Sequence, residues 1–161
     1  MIGIGHTRWA THGAPTDANA HPHLDQSGKL VLVHNGVIEN YQQLKERLAA
    51  KGHKFLSQTD TEVLAHLIGE HYQPGIPLAD AVRHALKEVI GTYGIAVMHA
   101  DQPGIIVGAR RGSPLLIGVG RNENFLASDV SAIVAHTRRV VYLNDFEVVT
   151  LTADEIGRAH V

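Results

Sequence analysis

The sequence predicts an α+β fold in which helices and antiparallel strands occupy separate parts of the chain. Three helical patterns lie together between residues 39 and 90, and seven short apolar segments follow one another from residue 94 to residue 151. Gly, Pro, Asn and Asp break these later segments at the spacing of hairpins. A doubly wound parallel sheet would instead alternate strands with helices along the chain.

The first half of the chain predicts one complete strand and three helices. Residues 1–4 are apolar and resemble the interior of a strand. The apolar run Leu30–Val33 predicts a buried strand that ends at His34-Asn35-Gly36. Helices are predicted over Glu39–Lys51, after a cap at Thr59 with Glu62 three residues later, and over Leu78–Ile90.

The second half predicts strands over residues 94–99, 104–109, 114–119, 124–127, 132–135, 139–143 and 146–151. Residues 156–161 follow neither period. Their sequence matches the translated end of a common sequencing adapter, so we expect a non-native tail there and exclude it from functional reasoning. A single domain is therefore predicted over residues 1–155.

Composition excludes several classes of function. Fourteen Lys and Arg against 16 Asp and Glu give a net charge of -2, so no basic surface for nucleic acid or an anionic membrane is predicted. No apolar run approaches the roughly 18 residues that a membrane span needs. The absence of cysteine excludes a disulfide framework and a thiolate metal site, and favours a cytoplasmic location.

The segment His6–Gly13 predicts a ligand-binding loop. Its guanidinium, indole, hydroxyl and imidazole groups follow neither the helical nor the strand period. Arg8 presents a planar set of donors that suits a carboxylate. The alternative is a structural ion pair between this arginine and an aspartate.

Asn35-Gly36 predicts an oxyanion hole. The Asn35 amide and the Gly36 N–H, just past a buried strand, would both point at one oxygen, and Gly36 permits a close approach because it has no Cβ. The alternative is a type I′ hairpin turn, for which Asn-Gly is a strong signal. A helical pattern follows instead of a second strand, which weakens that alternative.

Asp60 predicts a binding group for an ammonium. It stands at the start of a helix, where the helix dipole keeps a carboxylate ionised. Ordinary helix electrostatics is the alternative explanation. Taken together, a carboxylate-binding group, an ammonium acceptor and an oxyanion hole describe a site for an α-amino acid with a reactive side-chain carbonyl, such as glutamine.

Four segments in this order resemble the signatures of the class II glutamine amidotransferase domain. They are His6–Gly13, Asn19–His23, His34–Asn40 and Ser57–Val63. Their form is similar to that of the glucosamine-6-phosphate synthases, the isomerising glutamine–fructose-6-phosphate aminotransferases. Arg111–Leu115 and Ala127–Asp129 are also similar to strands of that family.

The resemblance implies an N-terminal-nucleophile fold, a four-layer αββα sandwich lacking its first strand, over residues 1–155. Arg8, Thr11, His12 and Asp60 would bind L-glutamine, Trp9 would lie in a loop that closes over it, and Asn35 with Gly36 would bind the oxyanion. Ammonia would pass to a separate isomerase domain that acts on fructose 6-phosphate in amino-sugar biosynthesis. No cofactor, metal, nucleic acid or membrane partner is implied, and the parent enzyme is expected to be a homo-oligomer.

The sequence departs from this family at the nucleophile. In the family a cysteine at the mature N-terminus attacks glutamine, and its own α-amino group is the base. This sequence contains no cysteine, so we predict that the chain alone hydrolyses no glutamine. Two alternatives are a catalytically inactive glutamine-binding or interaction module and a metal hydrolase. The metal alternative would use His6, His12, His21, His23 and His34, but their spacing defines no coordination geometry.

Overall fold

The computed structural model describes residues 2–10 and 12–161. It contains two antiparallel sheets and one layer of helices. The strands are β1 (His23–Leu24), β2 (Leu30–Ile38), β3 (Gly91–His99), β4 (Ile106–Arg111), β5 (Leu116–Val119), β6 (Asn124–Ala127), β7 (Val140–Tyr142), β8 (Glu147–Leu151) and β9 (Ile156–His160). The helices are α1 (Tyr41–Ala50), α2 (Asp60–His71) and α3 (Leu78–Leu86). Two short 3-10 turns cover Asp17–Asn19 and Val130–Ala132. The predicted α+β class is confirmed.

The larger sheet has the strand order β1-β2-β3-β4-β8-β9, and the smaller sheet has the order β6-β5-β7. Neighbouring strands are antiparallel in both sheets. The longest pairing joins β2 to β3, from Leu30 opposite His99 to Ile38 opposite Gly91. This pair lies inside the larger sheet and forms the floor of the site described below.

Side chains of the larger sheet alternate between two apolar cores. One face packs under the helices, where α2 is buried along nine consecutive residues, Asp60–Ile68. The other face packs against the smaller sheet through residues such as Val149 and Ile117. Each fully buried Leu, Ile or Val contributes roughly 1.5–3 kcal/mol, so α2 is fixed against the sheet with little freedom to shift.

Two of the predicted elements differ most in extent from those in the structure. Helix α3 ends at Leu86 and not at Ile90, because the Asn40 side chain donates to the carbonyl of Glu88 and accepts from the N–H of Ile90. These bonds fix the turn at residues 87–88 and the path of the chain into β3. Strand β2 runs to Ile38 and not only to residue 33, because β3 pairs with it along its whole length.

The predicted strand at 132–135 is wrong, and a local turn replaces it. The Asp129 carboxylate accepts the N–H of Ser131 at 2.7 Å, and the 3-10 turn Val130–Ala132 follows. Ile133 is then buried against Gly118, where a Cβ would lie 2.5 Å from its Cδ1. The apolar run at 132–135 therefore covers the smaller sheet without joining it.

Residues 156–160 form β9, although their sequence follows neither period. The strand pairs with β8 from Ile156 opposite Leu151 to His160 opposite Glu147. Backbone hydrogen bonds provide this pairing without a regular apolar pattern. The non-native origin of residues 156–161 stays a prediction.

The start of the chain and the outer layer also differ from expectation. Ile2–Ile4 belong to no strand, contrary to the strand-like pattern of residues 1–4, and Met1 lies outside the described residues. A single helical layer, α1 to α3, covers the larger sheet. The described residues form no second helical layer; after α3 their only helical element is the 3-10 turn Val130–Ala132.

Candidate active site

Asn35 and Gly36 lie inside strand β2 and not in a hairpin turn. Asn35 stands opposite Gly94 of β3, and Gly36 stands opposite Tyr93. The backbone of Gly36 has a φ of +125°, and a Cβ there would lie 2.3 Å from the carbonyl oxygen of Thr92. The hairpin alternative is therefore wrong, and only glycine fits this position without displacing β3.

The neighbouring His34 fastens this strand to the elements on either side of it. Its Nδ1 lies 3.1 Å from the Thr61 hydroxyl of α2, and its Nε2 lies 3.2 Å from the Thr92 carbonyl of β3. Burial lowers the pKa of His34, and the nearby Asp60 carboxylate, which acts to raise it, does not offset the burial. The neutral ring therefore donates to Thr92 from Nε2 and accepts from Thr61 at Nδ1.

Asp60 lies directly against the end of β2. It is the first residue of α2 and only 3% exposed, and its Oδ2 accepts the backbone N–H of Ile38 at 2.8 Å. Its Oδ1 lies 3.9 Å from Nδ1 of His12. The structure thus brings a buried carboxylate next to the strand that carries Asn35 and Gly36.

The segment before α2 is held by the predicted helix cap, but only half of the capping box forms. Thr59 Oγ1 accepts the N–H of Glu62 at 3.2 Å, as predicted. The Glu62 carboxylate does not return to Thr59 but accepts the backbone N–H groups of Leu56 and Ser57, each at 2.7 Å. Burial acts to raise the pKa of Glu62, and these hydrogen bonds outweigh it, so the pKa lies below its usual value.

Arg8 forms hydrogen bonds with the backbone of its own loop. Its guanidinium donates to the carbonyls of His12 at 2.7 Å and of Gly13 and Ala14 at 3.1 Å. A guanidinium has five N–H donors, and three are used here. Two N–H donors of Arg8 therefore have no partner among the described residues. Arg8 also forms no ion pair with an aspartate in this part of the chain.

The other predicted loop residues differ in their surroundings. His12 is partly exposed, and its ring stands edge-on to Tyr41 with centroids 5.1 Å apart. Trp9 is 90% exposed. Thr11 lies outside the described residues, so its predicted contact with glutamine stays a prediction.

Asn19 is a buried residue of the site to which the sequence analysis gave no role. Its Oδ1 accepts the N–H of Gln58 at 2.9 Å, and its Nδ2 donates to the carbonyl of Ala14 at 2.9 Å. A Cβ on Gly13 would lie 2.6 Å from that Nδ2. Asn19 thus joins the Arg8 loop to the segment before Asp60, and its presence in the motif Asn19–His23 was the only signal.

His6 contacts Asn35, a second arrangement that the sequence analysis missed. Its Nε2 lies 2.6 Å from Asn35 Oδ1, and its ring stacks on His21 with centroids 4.2 Å apart. Both His6 and Asn35 line a cavity of about 320 Å³ between the two sheets and a cleft of about 290 Å³ beside Ser128.

In the part of the chain that the structure describes, the histidine-rich segments form no metal centre. In the ranges 2–10 and 12–161, no group of three or more His, Cys, Asp or Glu side chains is arranged to hold a metal ion. His23 instead contacts the Thr59 hydroxyl at 3.0 Å, and His34 has the partners described above. The structure gives no support to the metal-hydrolase alternative.

A family profile described as glutamine amidotransferase domain matches residues 1–157. The chain belongs to the glutamine amidotransferase domain family. Among relatives of this amidotransferase domain, the isomerising glutamine–fructose-6-phosphate aminotransferase of Thermus thermophilus is 57% identical over 155 residues. That of Streptomyces coelicolor is 54% identical over 154 residues. Each alignment covers 96% of this chain, which spans about a quarter of the length of these relatives.

A solved structure of a related amidotransferase has the same fold. Glutamine phosphoribosylpyrophosphate amidotransferase from B. subtilis, in complex with ADP and GMP, superimposes with a TM-score of 0.78 at 27% identity. The match covers 96% of this chain and 34% of that one. The N-terminal-nucleophile fold predicted from the sequence motifs is confirmed. Within the described residues, no helix of the amidotransferase domain is long and apolar enough to cross a membrane.

Proposed function

We propose that the chain is the glutamine-binding, glutaminase part of an isomerising glutamine–fructose-6-phosphate aminotransferase. One observation carries the proposal: the buried Asp60 accepts the N–H of Ile38 at 2.8 Å, two residues after Gly36 on the strand that carries Asn35 and Gly36. A carboxylate that could bind an ammonium and two hydrogen-bond donors that could bind an oxyanion are thus held by the same strand, β2. The 57% identity to the Thermus thermophilus enzyme supports the same assignment.

The loop and the helix terminus supply the groups that would recognise an amino acid. Among the described residues, Asp60 Oδ1 forms no ion pair with a lysine or an arginine, so it would accept the substrate ammonium. Arg8 would attract the α-carboxylate with its positive charge and a remaining N–H donor, while its other donors keep the loop in shape. Thr11 and His12 would complete this binding surface, and the exposed Trp9 would cover the ligand when the loop closes.

The strand would supply the stabilisation of the transition state. The Asn35 Nδ2 and the Gly36 N–H would donate to the oxygen of the side-chain amide of glutamine as it becomes an oxyanion. A single donor of this kind accounts for about 2.7–4 kcal/mol of barrier in well-studied hydrolases. The absence of a Cβ at Gly36 leaves the backbone open to such a close approach.

Ammonia released at this site would be transferred to fructose 6-phosphate by a separate isomerase domain, giving glucosamine 6-phosphate. We propose that the present chain binds L-glutamine without hydrolysing it, because its 161 residues include no cysteine. On this proposal the protein would act in amino-sugar biosynthesis, and the parent enzyme would be a homo-oligomer in the cytoplasm.

Calorimetric titration of the purified chain with L-glutamine tests the proposal, with D-glutamine as the matched control. We expect saturable binding of the L-isomer, little binding of the D-isomer, and no ammonia above background in a glutaminase assay. Failure to bind L-glutamine would refute the binding site, and turnover would refute the need for a cysteine.

The gene itself distinguishes this proposal from an inactive glutamine-binding module. Sequencing of the DNA on both sides of the coding segment should reveal an in-frame cysteine codon after the initiator methionine upstream, and an isomerase domain downstream. An in-frame stop codon immediately before Met1 would contradict the proposal and favour the inactive module.

A further inference from the structure

We propose that His6 is a positioning residue that orients the Asn35 side-chain amide for oxyanion binding. In this arrangement His6 Nε2–H donates to Asn35 Oδ1, and the Asn35 Nδ2 is the group presented to the ligand. The inference rests on the proposed function, because it concerns the donor that would contact the glutamine amide. His6 itself touches no reacting atom.

The contact between the two side chains is short and well defined. His6 Nε2 and Asn35 Oδ1 are 2.6 Å apart, although 29 residues separate them in sequence. Among the described residues, none accepts a hydrogen bond from Asn35 Nδ2, and Asn35 is the exposed residue of β2. His6 therefore holds the acceptor end of the amide and leaves the donor end available.

The second nitrogen of His6 determines which tautomer makes this contact. His6 Nδ1 is buried and has no hydrogen-bond partner in the described part of the chain. A buried N–H without an acceptor is more costly and rarer than an acceptor without a donor. The proton therefore resides on Nε2, and the amide oxygen of Asn35 must face it.

His21 keeps the His6 ring in this orientation. The two rings stack with their planes 23° apart, and His21 Nδ1 accepts the backbone N–H of His34 at 3.4 Å. Burial lowers the pKa of His21 to about 3. His21 is therefore uncharged near neutral pH and serves as a flat support anchored to β2.

The orientation matters because an amide has one donor end and one acceptor end. The terminal torsion of asparagine is broad and roughly two-fold, so an exposed Asn35 without His6 would populate both orientations. In the reversed orientation the amide oxygen would face the substrate oxygen and repel it. His6 would remove this reversed state before the ligand binds.

Nuclear magnetic resonance of the full chain tests the orientation directly. The 15N shifts of His6 in the unsubstituted chain should show a protonated Nε2 and an unprotonated Nδ1. In His6→Phe, which keeps a flat ring against His21 but lacks the donor, the side-chain amide signals of Asn35 should shift or broaden. In His6→Gln, whose amide also donates, they should return towards those of the original chain.

Binding of L-glutamine supplies the second measurement. The dissociation constant should rise about two- to tenfold in His6→Phe, the range expected for one lost hydrogen bond, and recover in His6→Gln. In an Asn35→Ala background the His6→Phe substitution should have no further effect. His71→Phe is the matched control, because His71 Nε2 also contacts an acceptor, Glu88, at 2.6 Å, but at the far end of α2.

The outcomes separate the two proposals. If the unsubstituted chain does not bind L-glutamine, the proposed function fails, while the His6 tautomer and the Asn35 signals still decide the role of His6. A proton on Nδ1, or Asn35 signals that do not respond to His6→Phe, would overturn the inference even if glutamine binds. The tautomer measurement needs no variant, so it stands if a substituted chain does not fold.

Discussion

At Gly36 the absence of a side chain sets the geometry of the candidate oxyanion hole. The backbone adopts a φ of +125°, and the Thr92 carbonyl occupies the place where a Cβ would be. Two different constraints therefore act on one residue: a conformation that favours glycine and a close approach of the neighbouring strand. Asp60 is constrained in a different way, because its carboxylate is buried and bonded to the backbone of Ile38.

Replacing Gly36 by alanine should destabilise the fold by more than the strain of a positive φ alone. We expect a loss of at least about 3 kcal/mol, since a strained conformation costs of order 1–3 kcal/mol and the Cβ also collides with backbone. Gly28→Ala is the control, because Gly28 also has a positive φ of +71° but open space around it. Urea unfolding measures both, and equal losses in the two variants would disprove the packing argument.

Replacing Asp60 by asparagine should weaken L-glutamine binding while the fold is retained. The asparagine oxygen still accepts the Ile38 N–H, but the charge that would attract an ammonium is gone. We expect at least about a tenfold higher dissociation constant, equivalent to about 1.4 kcal/mol. Calorimetry measures this value.

Asp80→Asn provides the comparison for charge alone, since Asp80 is a half-buried residue of α3 paired with Arg83. It should leave the dissociation constant for L-glutamine unchanged. Equal binding by Asp60→Asn and the unsubstituted chain would exclude Asp60 as the ammonium acceptor.

Among the elements, helix α2 carries most of the organisation of the site. It is buried along Asp60–Ile68, its first residue reaches β2, and its cap joins it to the preceding segment through Thr59 and Glu62. The segment of Leu56 and Ser57 has its backbone N–H groups satisfied by the Glu62 carboxylate. The beginning of α2 is therefore anchored from both sides, which keeps Asp60 in place.

Replacing Glu62 by glutamine should destabilise the chain in a pH-dependent way. The loss should be about 1.5–3 kcal/mol at pH 7, the range for hydrogen bonds to a charged group. Because folding lowers the pKa of Glu62, its contribution is present above the ordinary value of 4.5 and is lost as the pH falls through the lowered pKa.

Urea unfolding at a series of pH values measures this difference, which should shrink below pH 4.5. Glu46→Gln is the control, because Glu46 is exposed on α1, and it should change stability little at any pH. A difference between Glu62→Gln and the original chain that stays constant down to low pH would show that the charge of Glu62 has no part in the effect.

In the whole molecule, the candidate site and strand β9 stand far apart in the larger sheet. The order β1-β2-β3-β4-β8-β9 places three strands between β2 and β9. Strand β9 is held at the edge by its pairing with β8, by an ion pair between Arg158 and Glu147, and by Arg83 donating to the carbonyl of His160 at 2.7 Å.

Removal of residues 156–161 should therefore leave L-glutamine binding intact. Distant sites are additive within about 0.3–0.5 kcal/mol, so the dissociation constant should change by no more than about twofold. Stability should fall, since β8 loses one of its two neighbouring strands. Calorimetry and urea unfolding of the shortened chain, beside Arg158→Ala in the full chain, measure the two effects, and a large loss of binding would contradict this separation.

Local patterns account for the elements that the sequence predicts well. Helix α1 follows from the apolar spacing of Tyr41, Leu44 and Leu48, and the start of α2 follows from the cap at Thr59. Both signals lie within a few residues of the element that they define. The predicted end of α3 is wrong because a side chain remote in sequence, Asn40, forms hydrogen bonds with the backbone of Glu88 and Ile90.

In the candidate site too, local patterns predict some features and contacts between remote segments decide others. Arg8, Asn35, Gly36 and Asp60 were recognisable from their residue types and motifs, and their roles toward glutamine stay predictions. The strand conformation of Asn35-Gly36 was not recognisable, because the local signal for a turn is overridden by pairing with β3. The contact between His6 and Asn35 has no local signal, since 29 residues separate the two.

The sequence by itself determined the α+β class, the family, and the chemical types of the groups offered to a ligand, because these depend on local periodicity, caps and short motifs. The tertiary structure alone decided that Asp60 reaches the end of β2, that Gly36 admits no side chain, and that His6 holds the Asn35 amide. These facts depend on distances between segments that are remote in the chain. Such distances are set by the packing of α2 and by strand pairing in the sheet, which involve many residues at once.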